Sequence, residues 1–293
     1  MNKATTSPAP YDWRKTRKAI LDRSHRKFVP ISHAFIQAPK GSKSRKGPLA
    51  SLVSSGNVRL LNAYLLIVAI TSHVDPNGEW TTALPLQTWA RIFGLNMVKD
   101  PASESGGRQA VTVESGKTAT TRIFRRLKEL KLIETERIGK GQNRAVKIRL
   151  LREDGSGAPY TRPERSYIRL SYALWPNDGK SNQTGTQQTQ NVIENIKMPG
   201  LAMLLVFLKE KQPCQLPIEH MPEWYGWSSD TAQRGINELI HLGILGKTQK
   251  IIERPLSPTG YTKVNEYTIL PPFDKPSIDK AQSSNAKEKH HVQ

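Results

Sequence analysis

Cysteine is almost absent from this 293-residue sequence, which contains only Cys214. One cysteine cannot form an intrachain disulfide and cannot build a cysteine-based zinc site. The seven histidines are scattered, and none has the H-x-H or H-E-x-x-H spacing of a pair of metal ligands. The sequence therefore predicts no metal and no other cofactor, and its cysteine content fits a reducing compartment.

Long hydrophobic runs are also missing. The most apolar stretch extends only from Leu60 to Ile70 and includes Asn62. A membrane-spanning helix needs about 20 apolar residues, so this stretch predicts a buried helix of a globular domain. The first residues lack the apolar core of a signal peptide. We expect no membrane partner and a cytoplasmic location.

Acidic residues are scarce relative to basic ones, and the imbalance is uneven. The chain has 44 Lys and Arg against 25 Asp and Glu, a formal net charge of +19. Residues 1–50 hold 12 basic and 2 acidic side chains and residues 51–152 hold 16 and 8, whereas residues 153–293 hold 16 and 15. Lysines that only aid solubility would be spread evenly. Charge concentrated in one half indicates a polyanionic partner such as nucleic acid.

Two pairs of similar segments indicate an internal repeat. FVPISHAF from Phe28 resembles YIRLSYAL from Tyr167, and both alternate in polarity as half-buried strands do. LPLQTWARIFGL at 84–95 resembles LPIEHMPEWYGW at 216–227. In each of the latter two segments, a proline suits the first turn of a helix and a glycine suits its end.

A third match follows at a shorter interval along the chain. Its aligned positions are Arg122, Leu127, Leu130, Leu132 and Ile133 with Arg234, Leu239, Leu242, Ile244 and Leu245. Three matches in the same order predict a duplicated domain. The change of interval predicts about 20 extra residues in the first copy, and the segment 96–116 has the Pro, Gly and Ser content of a surface loop.

These matches divide the chain into two similar domains with flanking segments. The expected boundaries are a flexible basic N-terminal arm at 1–27, domain 1 at 28–152, a linker at 153–163, domain 2 at 164–271 and a disordered tail at 272–293. The linker contains Gly and Pro and the tail is polar. Within the domains, 37–57 and 177–190 have the composition of loops.

The order of elements in each copy predicts an α+β fold. In the first copy, helices are expected at 57–72, 85–94 and 117–131, and strands at 133–138 and 146–150. In the second copy, helices are expected at 200–211, 217–225 and 229–242, and strands near 244–252 and 261–270. The third helices are expected to begin at the N-caps Thr118 and Ser228 or Ser229. Three helices and a β-hairpin are the layout of a winged helix, so the predicted fold is two tandem winged-helix (helix-turn-helix plus β-hairpin wing) domains.

The motif R-x-x-x-x-L-x-x-L-x-L-I from Arg122, after a polar cap, resembles the recognition helix and wing of bacterial winged-helix DNA-binding proteins. The stretch from Phe28 to Leu150 also resembles the N-terminal winged-helix domain of plasmid replication initiators, through RLLNAYLL and the turn Asn77-Gly78-Glu79-Trp80. The 96–116 insertion departs from that pattern. The resemblance implies two tandem winged helices that bind double-stranded DNA.

In helix-turn-helix proteins, the N-terminal part of the third helix meets base edges in the major groove. The resemblance therefore implies DNA contacts from the third helix of copy one, where arginine can pair with two acceptors on guanine. The expected residues are Lys117, Thr118, Thr120, Thr121, Arg122 and Arg125, with Arg126 either at a phosphate or facing solvent.

The hairpin and the N-terminal arm are expected to extend this surface along the DNA backbone or into a minor groove. The expected hairpin contacts are Arg137, Lys140, Asn143, Arg144 and Lys147. The expected arm contacts are Arg14, Lys15, Arg17, Lys18, Arg26 and Lys27. Alternatives stay open: the hairpin charges could be merely solvated and the arm a disordered tail, although Trp13, Ile20 and Leu21 offer apolar surface for packing.

Copy two has a nearly neutral third helix, because Asp230 and Glu238 accompany its one arginine. Its candidate DNA contacts are Ser229, Gln233 and Arg234. An aromatic cluster at the start of this helix is interpreted as core, with a protein interface as the alternative. That cluster consists of Trp224, Tyr225 and Trp227. Copy one should thus dominate DNA affinity, and the alternative role of copy two is to form a homodimer or to contact another protein.

Enzymatic activity is not expected. Gly116-Lys117-Thr118 matches the end of a phosphate-binding loop, but Val111 stands where that motif needs glycine. The sequence instead predicts a sequence-specific double-stranded DNA-binding protein, nucleoid- or plasmid-associated, that acts as a plasmid or mobile-element replication initiator. The alternatives are a winged-helix transcription repressor and a non-enzymatic protein-interaction module tethered to DNA. RNA binding is disfavoured because aromatic-rich strand motifs are missing.

Overall fold

The computed structural model describes residues 12–24, 26–71, 73–95, 113–175 and 192–290. Over these residues the chain is α+β, as predicted, with eleven α-helices and three small antiparallel sheets. The first eleven residues, the loop at 177–190 and most of the 96–116 insertion lie outside the described part.

The first unit combines three main helices with a four-stranded sheet. Its helices are α4 (Val58–Ile70), α5 (Leu86–Ile92) and α6 (Val113–Glu129). Its strands are β2 (His73–Val74), β3 (Trp80–Leu84), β4 (Ile133–Ile138) and β5 (Ala145–Leu150), in the order β2-β3-β5-β4. The predicted helices and hairpin strands are present. However, α6 begins before its predicted start at 117, so Thr118 lies inside the helix and is not its N-cap.

β3 is a strand that was not predicted from the sequence. Asp75 closes the turn before this strand, because its carboxylate accepts hydrogen bonds of 3.0 Å from the amides of Asn77 and Glu79. β3 then pairs antiparallel with β5, placing Ala83 opposite Lys147. The β4–β5 hairpin is therefore part of a larger sheet and is held from one side.

The second unit repeats this order with a two-stranded sheet. Its helices are α7 (Val192–Asn195), α8 (Met198–Lys209), α9 (Met221–Trp224) and α10 (Ser229–His241). Its strands are β7 (Leu245–Glu253) and β8 (Tyr261–Ile269). The continuous helix predicted at 217–225 is wrong. A 3₁₀ turn at Ile218–His220 precedes the short α9, because Pro222 lacks an amide proton and fits only the first turn of a helix.

The third helix of the second unit begins as predicted. Ser228 is its N-cap, and the Ser228 hydroxyl accepts a hydrogen bond of 3.1 Å from the amide of Thr231. Gly235 allows α10 to lie close against α8, because a Cβ at this position would overlap the carbonyl oxygen of Pro199.

A third sheet joins the two units. It pairs β1 (Phe28–Ser32) with β6 (Tyr167–Ser171) in antiparallel register. These are the two strands that the repeat predicted. Pro30 lies opposite Arg169, its own equivalent in the repeat, so the two strands are related by an approximate local twofold axis through this pair.

The correspondence between the two units also extends to the backbone after their third helices. Lys131 follows α6 with φ +54°, and Gly243 follows α10 with φ +67°. At both places the next amide bonds to the carbonyl oxygen five residues before it, at 3.1 Å and 2.9 Å. Both helices thus end in the same left-handed cap, at equivalent positions of the repeat.

The units share one hydrophobic core. The segment 37–57, predicted as a loop, contains α3 (Pro48–Ser54), whose Leu49 and Leu52 are fully buried. Both α3 and the preceding α2 (His33–Ile36) contact α8 of the second unit. The segment 37–57 is polar in its local composition but becomes structured because its apolar side chains pack against partners that are far away in the sequence.

The segment 153–163, predicted as the linker between the two domains, is packed. Glu153 and Tyr160 are buried. The Glu153 carboxylate accepts a hydrogen bond of 2.9 Å from the amide of Ser32, at the end of β1. The composition of the segment indicated a linker, but its two large side chains enter the core between the units.

The N-terminal segment is not a flexible arm over its described residues. It contains α1 (Trp13–Leu21), which packs against α5, with the ends Trp13 and Leu21 buried. The expectation of a flexible arm at 1–27 is thus wrong from residue 12 onward. The alternation of charge and apolar residues in this segment belongs to an amphipathic helix.

The predicted disordered tail at 272–293 is also wrong over most of its length. Phe273 is fully buried, and α11 (Lys275–His290) follows it. Asp279 on α11 forms an ion pair with Arg169 on β6, which attaches the helix to the sheet between the units. Composition indicated disorder because few residues of the tail are apolar, but two of them, Phe273 and Ile278, are buried.

Candidate nucleic-acid interface

The third helix of the first unit, α6, has one buried and one exposed stripe. Ile123, Phe124 and Leu127 are buried, and Phe124 makes edge contacts with two aromatic rings of the α5 segment, at centroid distances of 5.9 Å and 6.0 Å. The exposed stripe has the i, i+3, i+4, i+7 spacing of a single helix face. It consists of Thr118, Thr121, Arg122 and Arg125, named here the α6 face.

Thr120 does not belong to the α6 face. Its side chain is fully buried, and its hydroxyl donates a hydrogen bond of 2.9 Å to the carbonyl oxygen of Gly116. Thr121 is exposed, and its hydroxyl donates to the carbonyl oxygen of Lys117 at 3.1 Å. Of the predicted threonine contacts, Thr118 and Thr121 are therefore placed to meet a ligand, and Thr120 serves the packing of the helix.

The β4–β5 hairpin carries exposed cations beside α6. Arg137, Lys140 and Arg144, named here the hairpin cations, are exposed together with Asn143. None of the hairpin cations has a carboxylate oxygen within 4.0 Å among the described residues. The 3₁₀ turn at Gly141–Asn143 directs this end of the hairpin to solvent.

A groove joins α6 to the hairpin. It is lined by Leu86 and Gln87 at the start of α5, by Lys117 on α6, and by Arg137 and Arg144 of the hairpin, and its volume is about 410 Å³. A second groove, of about 430 Å³, continues along α6. Its polar lining residues are Thr121, Arg125, Lys128, Glu129, Thr135 and Arg137. The fold thus brings helix and hairpin residues that are separated in the sequence onto one surface.

Two cations on the sheet are neutralised by partners within the protein. Lys147, a predicted DNA contact, is 3.1 Å from the carboxylate of Asp75. The pKa of Asp75 is lowered by the amide of Glu79 and by Lys147. Arg149 binds Glu134 and Glu79 at once, and these hydrogen bonds raise its pKa. The prediction placed Lys147 on the DNA surface, but the structure places it in this network of the sheet.

The N-terminal cations divide between structure and surface. Arg17 is buried, donates a hydrogen bond of 2.9 Å to the carbonyl oxygen of Ile92, and lies 4.4 Å from the centre of the Trp13 ring. Burial lowers the pKa of Arg17 to about 10. Arg14 makes a two-point contact with Glu194, at 3.0 Å and 2.8 Å, and this contact raises its pKa. These arginines attach α1 to both units.

The remaining arm residues are distributed differently. Lys18 pairs with Asp22 at 2.6 Å, Lys15 is exposed, and the guanidinium of Arg26 lies 5.9 Å from the centre of the Phe28 ring. Lys27 is half-buried at the start of β1. The structure does not bring the arm residues together as one cationic surface.

The corresponding surface of the second unit is occupied by its own contacts. The Ser229 hydroxyl donates to the carbonyl oxygen of Ile218 at 2.8 Å. Gln233 donates to Asn237 at 2.8 Å, and Arg234 lies 3.1 Å from the carboxylate of Asp230. All three predicted contacts of this unit are thus engaged within the chain.

The aromatic cluster before α10 is largely core. Tyr225 and Trp227 are buried, and the Tyr225 hydroxyl donates to Glu210 at 3.0 Å. Burial raises the pKa of Tyr225. Trp224 is half-buried, and the side-chain amide of Gln37 donates to its carbonyl oxygen at 3.1 Å. The interpretation of this cluster as core agrees with its burial.

Arg59 belongs to this surface but was not predicted from the sequence. This exposed arginine, in the first turn of α4, lines a groove of about 390 Å³ together with Arg122 and Arg126 of α6. The first turn of an apolar helix gives no signal for such a site, because the three arginines meet only through the packing of α4 against α6.

No group of three or more His, Cys, Asp or Glu side chains is arranged to hold a metal ion in the described part of the chain. None of the helices described is both long and apolar enough to cross a membrane. Comparisons with protein-family models, with curated proteins and with solved structures give no significant match, so the interpretation of the surface rests on its own geometry.

Proposed function

We propose that this chain is a sequence-specific double-stranded DNA-binding protein built from two winged-helix units. In this proposal α6 of the first unit is the recognition helix and the β4–β5 hairpin is its wing. The observation that carries the proposal is the exposure of the α6 face between two cationic grooves, beside hairpin cations that have no carboxylate partner among the described residues.

The dimensions of α6 suit the major groove. A helix with side chains is about 10–12 Å across and the major groove is about 12 Å wide. Arg122 and Arg125 would reach guanine edges, and Thr118 and Thr121 would contact bases or thymine methyl groups. The hairpin cations would meet phosphates or the adjacent minor groove, which is the usual position of a wing.

Replication initiation for a plasmid or mobile element is the biological role that we favour. Two unlike units in one chain suit an asymmetric site, because each unit can differ in what it contacts. A transcription repressor would use the same surface and differs only in the sites that it binds.

A protein-interaction role has one specific observation in its favour. The β7–β8 hairpin of the second unit exposes Ile251, Leu256 and Tyr261, which are 64%, 102% and 55% exposed. Apolar side chains at the end of a hairpin favour a protein contact, either in a homodimer or with another protein. This role is compatible with DNA binding by the first unit.

Selection from a pool of random duplexes tests the proposal. The full chain should enrich a motif, and its double variant Arg122→Ala, Arg125→Ala should lose the guanine preference within that motif. The matched control is Arg254→Ala on the second hairpin, which should enrich the wild-type motif. Enrichment of no motif by the wild-type chain contradicts sequence-specific binding. An unchanged motif in the double variant contradicts the assignment of α6 as the recognition helix.

A further inference from the structure

The first turns of α4 and α8 occupy equivalent places in the two units but have opposite electrostatic surroundings. In the second unit, the Glu238 carboxylate on α10 accepts hydrogen bonds from the amides of Lys197 and Gly200, at 2.8 Å and 3.1 Å. These amides begin α8 and have no partner within the helix. Glu238 is therefore an anion at the positive end of α8.

Arg126 occupies the position of Glu238 in the first unit. The two residues are separated by the same interval as the aligned positions of the third helices. The backbone supports this equivalence, because the amides of Leu130 and Leu242 bond to the carbonyl oxygens of Arg126 and Glu238, at 3.2 Å and 2.9 Å. The duplicated fold thus has a carboxylate in one copy and a guanidinium in the other at the same place.

Two further arginines reinforce this reversal of charge. Arg59 and Arg122 line the same groove as Arg126, and no carboxylate lines it. Asn57 caps α4, accepting a hydrogen bond of 3.2 Å from the amide of Leu60. Three guanidinium groups at the positive end of a helix repel one another and the helix dipole. A bound anion relieves this repulsion, as Glu238 does in the second unit.

Arg126 has one carboxylate partner among the described residues, Glu129, at 2.9 Å. Both side chains are about half exposed, 47% and 49%. Exposed ion pairs of this kind contribute little to stability. Arg126 can therefore turn from Glu129 to a phosphate at small cost.

We propose that the groove between α4 and α6 binds one backbone phosphate of double-stranded DNA through Arg59 and Arg126, at the place that Glu238 fills in the second unit. This inference rests on the proposed function. A phosphate bound there lies on the side of the α6 face opposite to the hairpin, so α6 would be held in the major groove from both sides.

The test measures the affinity of the full chain for a labelled duplex of mixed sequence as a function of salt. Each phosphate contact contributes about 0.9 to the slope of log affinity against log salt, so Arg59→Ala should lower the slope by about 1 and low-salt affinity by about tenfold. Arg254→Ala, an exposed arginine of the second hairpin, is the matched control and should leave both unchanged.

Arg126→Glu separates binding from folding. This variant gives the first unit the carboxylate that the second unit has, so its Tm should equal or exceed that of the wild type while its DNA affinity and salt slope fall. A steep wild-type slope that Arg59→Ala and Arg126→Glu leave unchanged overturns this site alone. A wild-type slope near zero overturns the proposed function and, with it, this site.

Discussion

The amide of His33 donates a hydrogen bond of 2.8 Å to the carbonyl oxygen of Ser166, across the boundary between the two repeats. The twofold-related bond, from Tyr172 to Lys27, is 3.1 Å long. Each bond lies at one end of the β1–β6 sheet, so each unit completes the sheet of the other. We therefore expect the units to depend on each other for folding.

The first prediction is that residues 28–152 do not fold alone. This fragment would leave β1 without its partner strand and would expose α3, which packs against α8 of the second unit. The amide dispersion of its NMR spectrum should be that of an unfolded or partly folded chain, whereas the full chain should unfold in one cooperative transition. A well-dispersed native spectrum from the fragment would show that the units are independent.

The second prediction concerns Arg17. Its replacement by Ala removes a buried hydrogen bond to the carbonyl oxygen of Ile92 and the contact with the Trp13 ring. The free energy of unfolding should fall by about 1.5–3 kcal/mol, which is typical of a buried charged hydrogen bond. Denaturant unfolding measures this change. Lys15→Ala, an exposed neighbour on the same helix, is the control, and equal small effects of both variants would indicate that α1 is not docked.

The third prediction uses the pKa of Glu153. Burial raises this pKa to about 8, whereas an unfolded glutamate has a pKa near its ordinary value of 4.5. Between these pH values the folded state therefore holds the proton and the unfolded state does not. The stability that this protonation contributes is fully present below pH 4.5 and is lost as the pH rises to about 8. Glu153→Gln keeps an acceptor for the Ser32 amide and cannot ionise.

The free energy of unfolding of Glu153→Gln should consequently fall less between pH 5 and pH 8 than that of the wild type, as measured by urea titration at several pH values. Glu164 is exposed, so Glu164→Gln serves as the control and should show the wild-type dependence of stability on pH. Identical pH dependence of Glu153→Gln and the wild type would mean that the Glu153 carboxyl is not buried in solution.

The fourth prediction compares the two left-handed caps. Lys131 has φ +54°, a conformation in which side chains with a Cβ are strained, and its equivalent Gly243 has φ +67°. Lys131→Gly should raise the free energy of unfolding by about 0.5–1 kcal/mol, and Gly243→Ala should lower it by at least as much. Thermal unfolding of both variants measures these two changes in stability. A loss of stability in Lys131→Gly would contradict the equivalence of the caps.

The sequence predicts those elements whose partners are close along the chain. The spacing of Ile123 and Leu127 predicted the buried stripe of α6, and the alternation of Ile148 and Leu150 predicted the inner face of β5, where both are buried. The charge difference between the units was visible from composition. Asp230, which forms an ion pair with Arg234, is one of the acidic residues that produce it.

Elements that depend on distant partners were missed. α1 packs because Arg17 reaches the carbonyl oxygen of Ile92, 75 residues away. The tail becomes α11 because Asp279 meets Arg169, 110 residues away. The candidate site shows the same limit: Arg59 joins Arg122 and Arg126 only after α4 packs on α6. Local composition does not indicate such contacts, because they form only when distant parts of the chain pack together.

The central claim, that the first unit binds DNA and the second contributes little, is tested most directly by neutralising equivalent hairpins. One variant replaces Arg137, Lys140 and Arg144 with Ala, and the matched variant replaces Lys247, Arg254 and Lys263 with Ala. The measurement is the slope of log affinity against log salt for a labelled duplex, with each phosphate contact worth about 0.9. We predict a steep negative slope for the wild type and for the second variant, and a slope reduced by about 2–3 for the first. Equal slopes for the two variants, or a wild-type slope near zero, would contradict the account.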